Sequence, residues 1–305
     1  MKFTFGTDPE FMIARWDDLI SAISILPKKE KPLSRKGSRF YYDNVLAEIA
    51  VKPAETKDQA IENIRLALQE LSKIIKPCKF VIRSSAKYPN KQLMDKDARI
   101  AGCNPEWDIY SLTCVLPPEE VISKTSFRTA GGHIHVGAAG LDDPFKSFNM
   151  IRMMDLFLAI PALFLDKDET SKERRKIYGH AGSHRGTEYG FEYRALGNFW
   201  FSSPEMVSLV YDIVEFCLGF VEEGQHEKFW RVDKELLDTE DPSQAYKCTG
   251  YDVEALCKAI NSCDKKQAEK FMMFISNYMP SNLFLRIEKM MNLDMADPYE
   301  SWNIA

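Results

Sequence analysis

The chain has 305 residues, 45% hydrophobic and 28% charged, enough to bury a large core as one elaborate domain or two closely packed ones. With 40 Lys and Arg against 45 Asp and Glu the net charge is −5, which excludes an electrostatic case for general nucleic-acid or anionic-membrane binding. Seven cysteines at irregular spacing, with no charged-then-apolar leader ahead of them, read as reduced thiols in a cytoplasmic protein.

Residues 2–6 pattern as a strand. If extended backbone continues through Pro9, Asp8 and Glu10 share a face, and two such carboxylates repel unless a cation lies between them; a turn at Asp8-Pro9 with a solvated Glu10 is the alternative. Residues 27–37, with five basic residues and two prolines, read as a mobile basic loop. Residues 40–51 pattern as one strand that sets Glu48 among apolar neighbours. A carboxylate there needs a positive partner or a metal, unless that face of the strand is wet. Thr56-Lys57-Asp58-Gln59 has the form of a capping box for an amphipathic helix to Ile75. Residues 79–84 and 107–116 read as further strands, and Cys103, without a second cysteine at metal spacing, as a small buried or half-buried thiol.

Two of the five histidines stand in Gly131-Gly132-His133-Ile134-His135-Val136-Gly137. Strand alternation puts His133 and His135 on one face and Ile134 and Val136 in the core, which makes either a ligand platform or a hydrogen-bonded pair inside a sheet. Asp143-Pro144 opens an apolar helix to about residue 165, whose Lys146, Arg152, Asp155 and Pro161 suit a buried helix rather than a bilayer span; Arg152 and Asp155, three apart, are expected to pair. Further on, Gly179, Gly182 and Gly186 mark a loop in which backbone N–H groups and Arg185 can approach an anion. A strand over 189–196 aims Glu192 and Arg194 from one face, as site residues or as an ion pair. A capped helix runs from Ser203-Pro204-Glu205 to about residue 221, and the remainder reads as helices over 252–260, 264–275 and 282–291 whose methionines fill core gaps.

Together these segments present acids, histidines and arginines from a sheet that otherwise patterns as core. A mostly oxygen ligand set suits magnesium or manganese better than a lone structural zinc, and arginines beside such ions imply phosphate. The ordered motifs over residues 4–202 resemble the glutamine synthetase and glutamate-cysteine ligase superfamily, in particular the carboxylate-amine ligases encoded by phages. Gly6-Thr7-Asp8-Pro9-Glu10-Phe11 is similar to its early two-acid strand, Asp43-Asn44 to Glu48 to its next acidic strand, and His133-Ile134-His135 to its His-x-His strand. Arg175, Tyr178-Gly179, Arg185, Glu192 and Arg194 are similar to its closing arginine and Glu-x-Arg segment.

The resemblance implies an α+β fold, a curved antiparallel sheet forming an open half-barrel flanked by helices, with a catalytic domain over 1–224 and a helical extension over 225–305 packed on it. It implies Asp8, Glu10, Glu48, His133 and Glu192 as ligands of two or three magnesium or manganese ions. His135, Arg175, Arg185 and Arg194 would contact ATP or the transferred phosphate, with Arg185 and Arg194 also catalytic. Asp43 and His184 are the candidates for the base that deprotonates the amine. Asp8 is shorter than the Glu more common at its place, and the spacing from Asp43 to Glu48 differs from that of glutamine synthetase. The expected activity is ATP-dependent amide formation through an acyl phosphate, from small-molecule or peptide carboxylates and amines, a modified nucleobase included. The expected setting is the cytoplasm, that of the host for a phage-encoded chain, with no membrane partner and a homo-oligomer as one assembly. A guanidino-kinase-like phosphotransferase and a non-catalytic metal- or nucleotide-binding protein are the rivals. A zinc hydrolase is weaker, since no His-Glu-x-x-His helix occurs.

Overall fold

A computed structural model describes residues 2–100, 105–237, 239 and 241–304; Cys103 lies outside them. β1 (Phe3–Thr7) buries Phe3, Phe5 and Thr7 and exposes Thr4, the two-residue period of a half-buried strand. Asp8-Pro9 then carries the chain across to β2 (Glu10–Arg15), which belongs to a second sheet. That sheet adds β3 (Asp18–Ile20), β4 (Leu33–Arg35), β5 (Ser38–Asp43) and β6 (Leu46–Ala50), in the order β3-β2-β6-β5-β4, with β7 (Lys79–Val81) on β2.

The single strand expected over 40–51 is a hairpin. Asn44 takes a left-handed φ of 55°, which asparagine tolerates, and its Oδ1 accepts from Val45 N at 2.9 Å. The segment 27–37 is largely exposed, as a basic loop should be, but it is tied down. It contains β4, ties Lys28 to Asp97 at 2.7 Å and lays Lys29 over the Tyr41 ring at 5.2 Å.

After α1 (Lys57–Ile75), capped by Thr56 as its sequence predicts, come the ribbon strand β8 (Ser85–Lys87), then β9 (Glu106–Asp108), β10 (Cys114–Val115), α2 (Glu119–Lys124) and β11 (Phe127–Thr129), which pairs with β8. A continuous strand over 107–116 is prevented at Asp108, whose Oδ1 accepts from Tyr110 N at 2.7 Å and Ser111 N at 3.0 Å and turns the chain. β12 (Ile134–Ala138), β13 (Ser183–Thr187) and β14 (Gly190–Tyr193) complete the first sheet, in the order β1-β12-β14-β13-β9-β10. Arg185 therefore sits on a strand rather than in the expected glycine loop, and the strand expected over 189–196 spans only β14. Among the described residues the strand pairings in both sheets are antiparallel, and the sheets curl into a half-barrel flanked by helices.

The inward face of the first sheet, Val136, Phe191 and Tyr193 among others, packs on α3 (Pro144–Met154), which continues through a π turn at Asp155–Ala159 into α4 (Ile160–Leu165). The run from Pro144 to Leu165 is long and apolar enough to cross a membrane, yet 83% of its most apolar window is buried in this core. α5 (Ser171–Arg174) and α6 (Pro204–Glu222) follow, the latter capped by Ser203, and α7 (Val253–Ser262), α8 (Lys265–Ile275) and α9 (Ser281–Met291) close over α4 and α6. Leu256, Ile260, Phe271, Met272 and Ile287 join the same core cluster as β1 and β12.

Candidate active site

The crossing from β1 to β2 presents Asp8 toward the first sheet and Glu10 toward the second. Asp8 Oδ1 lies 3.2 Å from His133 Nδ1 and 3.1 Å from His135 Nε2, and His133 Nδ1 lies 3.4 Å from Glu192 Oε1. Ile134, between the two histidines, and Val136, after them, are buried, as alternation requires. In the second sheet Glu10 stands opposite Glu48 in the β2–β6 ladder, and Asp43 reaches them from the hairpin. Two sets result, Asp8–His133–Glu192 and Glu10–Asp43–Glu48, each with donor atoms within 4.8 Å of one another.

The glycines before the histidine strand are needed for space: a Cβ on Gly131 would run into His133 Nε2, and one on Gly132 would lie 2.6 Å from Gly197 O. Gly131 also donates its N–H to Glu10 Oε2 at 2.6 Å, which ties the two sets through one residue. Above them opens a cleft of about 480 Å³ lined by Asp8, Lys29, Arg39, His135, Arg185 and Tyr189.

Arg185 donates to Glu192 Oε2 at 2.9 Å from β13. Arg194 is buried, donates through Nε to Glu106 Oε2 at 2.8 Å and bonds Glu192 and the Tyr178 hydroxyl through its other nitrogens. The guanidinium thus holds Glu192 from behind, with every edge engaged. Tyr189 hydroxyl lies 2.6 Å from His135 Nδ1, and Tyr41 donates to Glu48 Oε1 at 2.8 Å. Lys29 Nζ stands 3.5 Å from the same Glu48 oxygen.

Burial and mutual repulsion push the acids up. Glu10 is raised to about 7 by burial and Glu48, Asp43 to about 7 by burial and Glu10, Glu48 to about 8 by burial and Asp43, and Glu192 to about 7 by burial and Asp8. Desolvation opposes the ionisation of Asp8, but His135 and His133 hold it well below the usual carboxylate range. Burial and the Arg194 charge lower His133 to about 3, so its imidazole is neutral and able to ligate. Desolvation works against protonation of His135 as well, yet the Asp8 carboxylate raises its pKa.

These residues fit divalent cations. Glu48 Oε2 is buried without a hydrogen-bond partner among the described residues, and five carboxylates with one neutral imidazole form a hard, oxygen-rich donor set that repels itself when empty of positive charge.

Asp8, Glu10, Asp43, Glu48, His133, His135, Arg185, Glu192 and Arg194 come together here. Two expected residues do not. Arg175 is buried and donates to Gly179 O at 2.6 Å, while its neighbour Arg174 faces the site, donating to the carbonyls of Arg194 and Ala195. His184 alternates to the opposite face from Arg185, where Nδ1 meets Gly182 O at 2.9 Å and the ring packs on Phe148. Sequence reasoning missed Glu106, Lys29, Tyr41 and Tyr189, and named Tyr178 as part of a motif without a role. Only Glu106 carried a signal, an acid beside a strand, and nothing local tied it to Arg194.

Residues 124–248 match the family model described as Phage phiEco32-like COOH.NH2 ligase-type 2. The matched segment holds His133, His135, Arg185, Glu192 and Arg194; the acids at Asp8, Glu10, Asp43 and Glu48 precede it. No curated protein shows significant similarity to the chain. Among solved structures, a bifunctional glutathione synthetase from Pasteurella multocida aligns at 10% identity and a TM-score of 0.44 over 99% of this chain and 48% of its own. A structure described as a novel glutamine synthase homolog aligns at 10% identity and a TM-score of 0.37 over 95% of this chain and 70% of its own. The chain spans about half the length of that glutathione synthetase.

Proposed function

We propose that the chain is an ATP-dependent carboxylate-amine ligase. A substrate carboxylate oxygen takes the γ-phosphoryl group of ATP as ADP leaves, and an amine then displaces phosphate from the acyl carbon to form the amide. The observation that carries this reading is the pair of three-donor sets, Asp8–His133–Glu192 and Glu10–Asp43–Glu48, linked through the Gly131 N–H on Glu10, with Arg185 and Arg194 bonded to Glu192.

Asp8, His133 and Glu192 would hold one divalent ion and Glu10, Asp43 and Glu48 a second, magnesium or manganese. Such ions neutralise phosphate charge and polarise the transferred phosphoryl group. Arg185, on the cleft wall, binds phosphate oxygens; Arg194, spanning Glu106, Glu192 and Tyr178, positions Glu192. His135, oriented by Tyr189 and Asp8, presents its imidazole to the nucleotide. Asp43 belongs to the second ligand set, and His184 faces away from the cleft. The catalytic unit in this reading is residues 1–224, with 225–305 as a helical extension, acting in the cytoplasm on small-molecule or peptide substrates.

The test incubates the protein with ATP, magnesium and pools of carboxylates and amines. ADP and phosphate should appear only when metal, carboxylate and amine are all present, the new amide should be seen by mass spectrometry, and Glu192→Gln should abolish both. ATP binding without ADP release across broad pools would end the ligase reading, and a phosphorylated product without condensation would replace it with phosphotransfer.

A further inference from the structure

A second cavity, of about 400 Å³, lies on the helical side of the first sheet, lined by Tyr110, Arg152, Trp230, Tyr246, Tyr251 and Asp252 among others. It shares no lining residue with the metal cleft. Arg152, on its wall, is 1% exposed. The pairing with Asp155 expected from their spacing does not form. Asp155 is satisfied by Tyr193 hydroxyl at 2.6 Å, Tyr110 hydroxyl at 2.8 Å and Gly182 N at 2.6 Å.

Arg152 therefore keeps one hydrogen bond, Nη2 to Ile109 O at 3.3 Å, while its buried Nε and Nη1 have no partner among the described residues. Trp230 and Tyr246 stack on the guanidinium at 4.4 and 4.1 Å from its carbon. Cation–π stacking engages the face of the group and leaves its in-plane N–H donors unanswered. A buried guanidinium held in position by aromatic rings, with unused donors in its own plane, is completed by a planar anion.

We infer that the cavity around Arg152 is a second ligand site, for a small organic carboxylate, separate from the metal cleft. The guanidinium fork matches a carboxylate, the aromatic walls cover an apolar body, and the volume suits a ligand of amino-acid or aromatic-acid size. Asp252, exposed on the rim and capping α7 through Ala255 N, repels a dianion such as phosphate more strongly than a monocarboxylate. The inference does not depend on the ligase reading, since no residue of the metal cleft enters it.

The test is calorimetry on the full chain with sodium benzoate, sodium glutamate and inorganic phosphate as probes. One of the two carboxylates should bind saturably with one equivalent, and Arg152→Gln should weaken it by at least about tenfold. Glu192→Gln should leave that binding unchanged. Tyr246→Leu, which keeps the guanidinium and strips one ring, should also weaken it, and stands in if Arg152→Gln does not fold. A crystal of the unmodified protein soaked with the bound carboxylate should show it beside Arg152. Absence of carboxylate binding, binding that survives in Arg152→Gln, binding of phosphate alone, or a ligand seated in the metal cleft would each overturn the assignment.

Discussion

Neutralising Glu48 isolates the electrostatic cost of the acidic floor. Glu48 is 3% exposed, and burial together with Asp43 raises its carboxyl from 4.5 to about 8. Its proton is bound more tightly in the folded chain than in the unfolded one. Between those two values the folded state holds more protons, so stability is fully present below 4.5 and falls as pH rises through about 8. At 1.36 kcal/mol per unit the whole displacement is on the order of 5 kcal/mol. Glu10 and Asp43 share the same repulsion, so Glu48→Gln should recover only about 1–3 kcal/mol of it. In a chain of this size that is roughly 2–6 °C in melting temperature. Gln can still accept the Tyr41 hydroxyl bond, so the substitution removes charge with little loss of packing.

Thermal melts in EDTA at pH 6 and pH 8, with and without manganese, check this. The natural protein should lose stability from pH 6 to 8 without metal and regain it with manganese. Glu48→Gln should melt higher at pH 8 in EDTA and gain less from the ion. A variant less stable than the natural protein at pH 8 in EDTA, or one with the full manganese gain, refutes the reasoning.

Gly131→Ala forces the His133 ring to move, because the new methyl group meets Nε2; manganese affinity measured by calorimetry should fall about 10- to 100-fold, and an unchanged value would show that His133 is not held for a metal. Arg194→Met leaves Glu106 buried without its partner and should cost about 3–5 kcal/mol in denaturant unfolding. Adding Glu106→Gln should recover part of that loss, whereas additive losses would argue against the pair. Manganese affinity should rise from pH 6 to pH 8, because Glu10 and Glu192, both at about 7, must lose protons to ligate while His133, at about 3, is already neutral; a flat profile would contradict the assigned donors.

Much of the site could be read along the chain because a strand sorts its own side chains. His133 and His135, and Glu192 and Arg194, each follow from a two-residue period, and Thr56 and Ser203 from capping chemistry, whereas Asp8 and Glu10 do not share a strand face: the chain crosses between sheets at Asp8-Pro9 and sends them to different sets. Turns were harder. The residues 40–51 and 107–116 hold strand-forming side chains around Asn44 and Asp108, and hydrogen bonds accepted by those two side chains from the following backbone N–H groups turn the chain there.

What the sequence by itself determined is local: which residues alternate, which helices are capped, and that several acids stand on strands too apolar to be wet. What the tertiary structure alone decided is which strands lie side by side. The antiparallel register of β12, β14, β13 and β9 brings Glu106 to Arg194 and Arg185 to Glu192, and places His184 on the far face. It also leaves Arg152 facing aromatic rings while Asp155 spends its oxygens on two tyrosines and Gly182. Pairing across a sheet joins residues tens of positions apart, and no spacing within a single strand encodes it.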